Sequence, residues 1–195
     1  MDITDLVQGS IGKELINGLS QQTGLEDNKV SSAVSMALPF LLSQMNKNAS
    51  DPRGAESLAN ALSDHKDLNN VSSILNSPNM AEGLGILGHV FGDKQPQVAQ
   101  SIGKNAGISS GNVMQILATL APIVMGYLGK QKAQNNMSAN EVPNLLENLL
   151  GGMKQTNHSE MSMIERMLDQ NGDGSIMDEA MDLGGKLLGG FFSKK

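Results

Sequence analysis

Oxygen-bearing side chains alternate through the segment Asp169, Gln170, Asn171, Gly172, Asp173, Gly174, Ser175, Ile176, Met177, Asp178 and Glu179. Asp169, Asn171 and Asp173 hold loop positions 1, 3 and 5, and Gly174 at position 6 can take the positive φ of a tight turn. A hard divalent cation that surrounds itself with about six to eight oxygens needs this spacing, because each ligand must turn inward from the same coil of backbone. The expected ion is Ca²⁺, held by Asp169, Asn171, Asp173 and the backbone carbonyl of Ser175. Glu179 is expected to close the shell, with Asp178 as its substitute or as the holder of a bridging water. Mg²⁺ fits less well, since it keeps its waters and demands strict octahedral geometry.

The pattern is EF-hand-like, with a departure at its end. Position 12, where a bidentate Glu normally sits, is Ala180, and the two acids fall one and two places early. Asn171 supplies oxygen without charge, so the expected affinity is modest, roughly 10⁻⁵ to 10⁻³ M on the scale of such loops. Met161, Ile164, Met167 and Leu168 share one side of an entering helix, and Met181, Leu183, Leu187, Leu188 and Phe191 can line a leaving one. Calcium would order this helix-loop-helix by neutralising Asp169, Asp173 and Glu179, which repel one another without it. The chain has no second such loop, so this hairpin is expected to dock on the helical body or to pair in a homodimer or with a protein partner.

Other chemistry has little support in the residue pattern. His65, His89 and His158 are far apart in sequence, there is no Cys, and each histidine reads as a surface or cap residue. His89, within Gly88-His89-Val90-Phe91-Gly92, is the one to check for a pocket. No phosphate-cradling loop is present, and Gly83-x-Gly85 precedes no strand. The expectation is a non-enzymatic protein. A net charge of −6 argues against nucleic acid as a partner, because that affinity rests on Lys and Arg neutralising phosphates. The start Met1-Asp2-Ile3-Thr4-Asp5 has no basic region followed by an apolar one, which leads to a cytoplasmic expectation.

The elements that would position these residues are helical. Leu6, Val7, Ile11, Leu15, Ile16 and Leu19 recur at three- and four-residue spacings up to the stop at Thr23-Gly24. From Val30 to Met45, and again from Val113 to Leu128, the chain is apolar on most sides and uncharged, as expected of helices surrounded by others. With 3% aromatics and no Trp, the 13 methionines and the aliphatic residues must fill the interior. A shift of 83 positions superimposes Gly24 on Gly107, Val30 on Val113, Pro39 on Pro122 and Lys47 on Lys130. The recurrence of a helix-stopping glycine, then a proline inside an apolar helix, predicts two related modules. Each proline is expected to kink or break its helix. The predicted fold is all-α: residues 1–150 as a bundle of tandem modules, about 1–65 and 84–150, a linker at 151–159, and the EF-hand-like hairpin at 160–195.

Gly83-Leu84-Gly85-Ile86-Leu87-Gly88-His89-Val90-Phe91-Gly92, then Gln97-Val98-Ala99, Ala106-Gly107-Ile108-Ser109 and Leu120-Ala121-Pro122-Ile123-Val124-Met125-Gly126, resemble the YidB-like bacterial family of unassigned function. The acidic loop and the ending Gly184-Gly185-Lys186-Leu187-Leu188-Gly189-Gly190-Phe191-Phe192 resemble the tail of many members. The resemblance implies an all-α, homeodomain-like core without an established activity. Such a fold does not imply DNA binding, and residues 110–128, in the place of a recognition helix, contain no Lys or Arg. A membrane role is the competing reading. Residues 110–129 approach the length of a bilayer span, but Asn112, Gln115, Thr119 and Pro122 interrupt them, so a buried helix is favoured. The tail, with Gly185-xxx-Gly189, Phe191, Phe192 and Lys194-Lys195, could instead lie on a membrane or envelope surface as part of a scaffold.

Overall fold

A computed structural model describes residues 9–65 and 71–156. The chain divides into two units, Met1–Thr156 and Asn157–Lys195, and all the described residues belong to the first. The expected calcium ligands Asp169, Asn171, Asp173, Ser175, Asp178 and Glu179, and the hairpin that carries them, lie outside the described residues.

Helix α1, Ser10–Thr23, buries Gly12, Leu15 and Leu19 on one face. It stops at Gly24, whose φ of 69° is left-handed and whose N–H donates to Ser20 O at 2.8 Å. Helix α2, Asp27–Asn48, starts with an acid in its first turn and ends with Lys47 in its last, which complements the helix dipole. Asp51 then caps α3, Pro52–Asp64, by accepting from the N–H groups of Arg53 and Gly54. The corner between α2 and α3 is tight enough that a Cβ on Gly54 would stand 1.8 Å from Asn48 O. After the short α4, Val71–Asn76, the Asn79 side chain caps α5, Met80–Phe91. A 3₁₀ turn, Gly92–Lys94, leads into α6, Gln95–Ala106, whose early Pro96 suits the first turn. Gly107 (φ 66°) closes α6, and Ser109 caps α7, Ser110–Gln134. A second 3₁₀ turn, Ala139–Glu141, precedes α8, Val142–Thr156.

The architecture is all-α, and the described residues contain no strand. The core is built on α2 and α7, buried from Met36 to Leu42 and from Ile116 to Gly129. Helices α3, α5 and α6 lie against α7, while α1, α6 and α8 lie against α2. Length and composition would allow α7 to cross a bilayer, yet 78% of its most apolar window is buried among the other helices.

Of the kink or break expected at each proline, the break does not occur: α2 and α7 both run on for more than a turn past Pro39 and Pro122. Packing on every side holds those turns despite a lost hydrogen bond that costs about 3 kcal/mol in an exposed helix. The module boundary at residue 84 falls inside α5. The linker expected from residue 151 is helical as far as Thr156, since Gly151 and Gly152 continue the helix that Leu145 and Leu146 bury. The arrangement of helix, left-handed glycine and buried proline-containing helix occurs at α1–α2 and at α6–α7. Each pair is followed by one further helix, α3 or α8.

Candidate ligand pocket between α3 and α5

Helices α3 and α5 both rest on α7 and have scarcely any direct packing against each other. A cleft of about 350 Å³ lies between them. Leu58 and Ala61 wall it from α3, and Ile86 and Val90 from α5. Met45 of α2 and Met125 of α7 complete the apolar lining. The polar groups are Asn48, His65, Glu82 and His89.

Helical spacing explains why α5 contributes as it does. Glu82, Ile86 and His89 lie at i, i+4 and i+7, hence on one face, while Leu87 and Phe91 turn to the core. The opposite approach, to α7, is close: a Cβ on Gly83 would stand 1.9 Å from Ala118 O. Asn48 anchors the C-terminal end of α5, donating from Nδ2 to Val90 O at 2.9 Å and His89 O at 3.2 Å. Its own Oδ1 accepts from Gln44 Nε2 at 3.1 Å. These bonds satisfy carbonyls that the helix end would otherwise leave open.

His65, the C-cap of α3, bridges the cleft. Its Nδ1 lies 2.7 Å from Ala61 O, and its Nε2 lies 3.1 Å from Glu82 Oε1. Ala61 O and the Glu82 carboxylate both accept, so the ring spans the two as a donor on each side only in its doubly protonated form. With the two side chains 25% and 41% exposed, the bridge positions α3 against α5 more than it stabilises the fold. His89 is placed differently. Its Nδ1 donates to Gly85 O at 2.9 Å, and Nε2 has no hydrogen-bond partner among the described residues.

The sequence-predicted metal ligands lie outside the described residues, and the described residues hold no group of three or more His, Asp or Glu side chains suited to a metal. Two of the three histidines, separated in sequence and expected as surface or cap groups, meet at the rim of one cleft. His65 does cap a helix, and His89 is exposed; His158 lies outside the described residues. Glu82, Ile86 and Gly85 were not singled out as lining residues. The available signal was the seven-residue spacing of Glu82 and His89 on an otherwise uncharged helix. It marks a shared face, but not what lies opposite.

Comparison with known families places this body. The model of a family of bacterial proteins of unknown function matches residues 5–131. The chain belongs to that family, DUF937. This agrees with the resemblance to the YidB-like bacterial proteins. Every residue that lines the cleft lies within the part of this DUF937 protein that matches, whereas the 169–179 loop lies beyond it. No curated protein and no solved structure matches the chain.

Proposed function

We propose that this DUF937 protein is a non-enzymatic, calcium-binding helical protein with a structural or interaction role, in which calcium orders a C-terminal EF-hand-like hairpin. The observation that carries this reading is the alternation Asp169, Asn171, Asp173, with Gly174 at the turn and Asp178-Glu179 after it. That order of oxygen donors and glycine serves a hard cation and has no use in a packed helix. The body contributes a framework: α1 to α8 form a hydrophobic core of their own. Asp169, Asn171, Asp173, the Ser175 carbonyl and Glu179 are the assigned ligands, with Asp178 able to replace Glu179. A homodimer or a protein partner is the proposed reader of the ordered hairpin.

Calorimetric titration of chelator-treated full-length protein with Ca²⁺ tests the reading. Binding should saturate with a Kd of roughly 10⁻⁵ to 10⁻³ M and be lost in Asp173→Ala. Absence of heat, together with an unchanged melting temperature at millimolar Ca²⁺, would remove calcium from the account. A second reading, a membrane-surface or envelope scaffold, is favoured by Leu187, Leu188, Phe191 and Phe192 beside Lys194-Lys195. Flotation with anionic liposomes separates the two: recovery should fall when residues 184–195 are deleted, and equal recovery rejects the scaffold.

A further inference from the structure

We propose that the cleft between α3 and α5 binds a small apolar molecule that carries a hydrogen-bond donor, a hydroxyl or an amine, at one end. The proposal stands independently of calcium, because it uses only residues of the helical body.

The interior of the cleft sets the body of the ligand. Its volume of about 350 Å³ is at the lower end of the range that encloses small ligands. Leu58, Ala61, Ile86, Val90, Met45 and Met125 offer hydrocarbon and thioether surface and no donor or acceptor. An alkyl chain or a single ring would exchange water for these contacts, and the unbranched methionines can adjust to either shape.

The rim sets the head group. Nearly all its polar atoms are already used: Asn48 serves the carbonyls of His89 and Val90, Gly85 O takes the His89 Nδ1 proton, and His65 spans Ala61 O and Glu82 Oε1. Two atoms are left with capacity, His89 Nε2 and the second carboxylate oxygen of Glu82. With Nδ1 donating to Gly85 O, the neutral tautomer that this bond selects presents a lone pair at Nε2. Both remaining groups are therefore acceptors, carried on one face of α5. A hydroxyl or an amine satisfies them, whereas a carboxylate head would face a lone pair and a like charge.

Access is built into the backbone. Gly85 sits between Glu82 and His89 on the lining, and a Cβ placed there meets nothing within 4 Å. A side chain at this position would enter the mouth of the cleft without touching the core. Gly85→Leu is therefore a block that leaves the fold intact, and leucine is also the better helix former.

The test is a titration of the full chain, carrying ¹³C-methyl methionine, with n-octanol, n-octylamine and octanoate. Saturable shifts should concentrate at Met45 and Met125 for the alcohol or the amine, at least tenfold tighter than for octanoate. Binding by octylamine alone would assign the head group to Glu82, and binding by octanol alone to His89 Nε2. Gly85→Leu should abolish the shifts with its melting temperature unchanged or raised, and His89→Phe should reduce, without erasing, the preference over octanoate, because Glu82 remains. Should Gly85→Leu not fold, Ala61→Leu narrows the cleft from the α3 side and serves the same purpose. Shifts spread evenly over all methionines, octanoate binding as tightly as octanol and octylamine, or undiminished binding in a folded blocked variant would each overturn the proposal.

Discussion

Gly83 and Gly85 lie two residues apart in α5 and answer opposite demands. The first faces Ala118 so closely that any β-carbon collides with the backbone of α7, while the second faces open space. Gly83→Ala should therefore lower stability by about 2–3 kcal/mol through overpacking. Gly85→Ala should raise it by about 0.5–1 kcal/mol by removing a flexible residue from a helix. Urea denaturation of the two variants checks the contrast. Glu141 gives a second prediction at this scale. Ser138 donates to its carboxylate from the hydroxyl at 2.7 Å and from the backbone N–H at 2.8 Å. These bonds hold the Glu141 carboxyl below the usual glutamate range. Since the folded value is depressed, the stabilisation is present above the unfolded value and is lost as pH falls through the folded one. NMR titration should show Glu141 ionising at lower pH than an exposed glutamate, and Ser138→Ala should return it toward the ordinary value.

Helix ends govern the next scale. Gly24 and Gly107 have φ of 69° and 66°, a region where a β-carbon crowds the following carbonyl. Gly24→Ala and Gly107→Ala should each cost about 1–2 kcal/mol. Both costs should arise from the cap itself, because no other atom lies within 4 Å of either Cβ position. Matching losses in the thermal denaturation of the two variants would show that the two corners do equivalent work. The prolines act in the reverse sense. Pro39 and Pro122 occupy helices whose neighbours leave no room to open a break, so a residue that ends an isolated helix is carried through. Across the bundle, the rings of Phe40 in α2 and Phe91 in α5 meet tilted at 52° with centroids 6.2 Å apart. That contact fixes the C-terminal end of α5 beside the cleft.

At the scale of the molecule, α7 is the element on which the others depend. Leu117 is fully buried within it, and Leu117→Ala should lower stability by about 2–5 kcal/mol in a single cooperative transition. A polar link crosses the same region: Thr119 donates to Gln22 Oε1, and Gln22 Nε2 donates to Leu75 O, tying α7, α1 and α4 together. The sequence alone determined the helical class, the two uncharged core segments and the glycine stops, because each depends on neighbours within a few positions. It also holds the whole case for calcium, since the ligands of such a loop are consecutive in the chain. The length of α8 was not legible locally, because packing from distant segments outweighs the intrinsic preference of a turn. The cleft was least visible of all. Its lining is drawn from α2, α3, α5 and α7, and only the crossing of those helices brings His65 to Glu82 and leaves His89 at an apolar cavity. A contact between segments remote in sequence leaves no periodicity in either one, so only the tertiary structure could decide it.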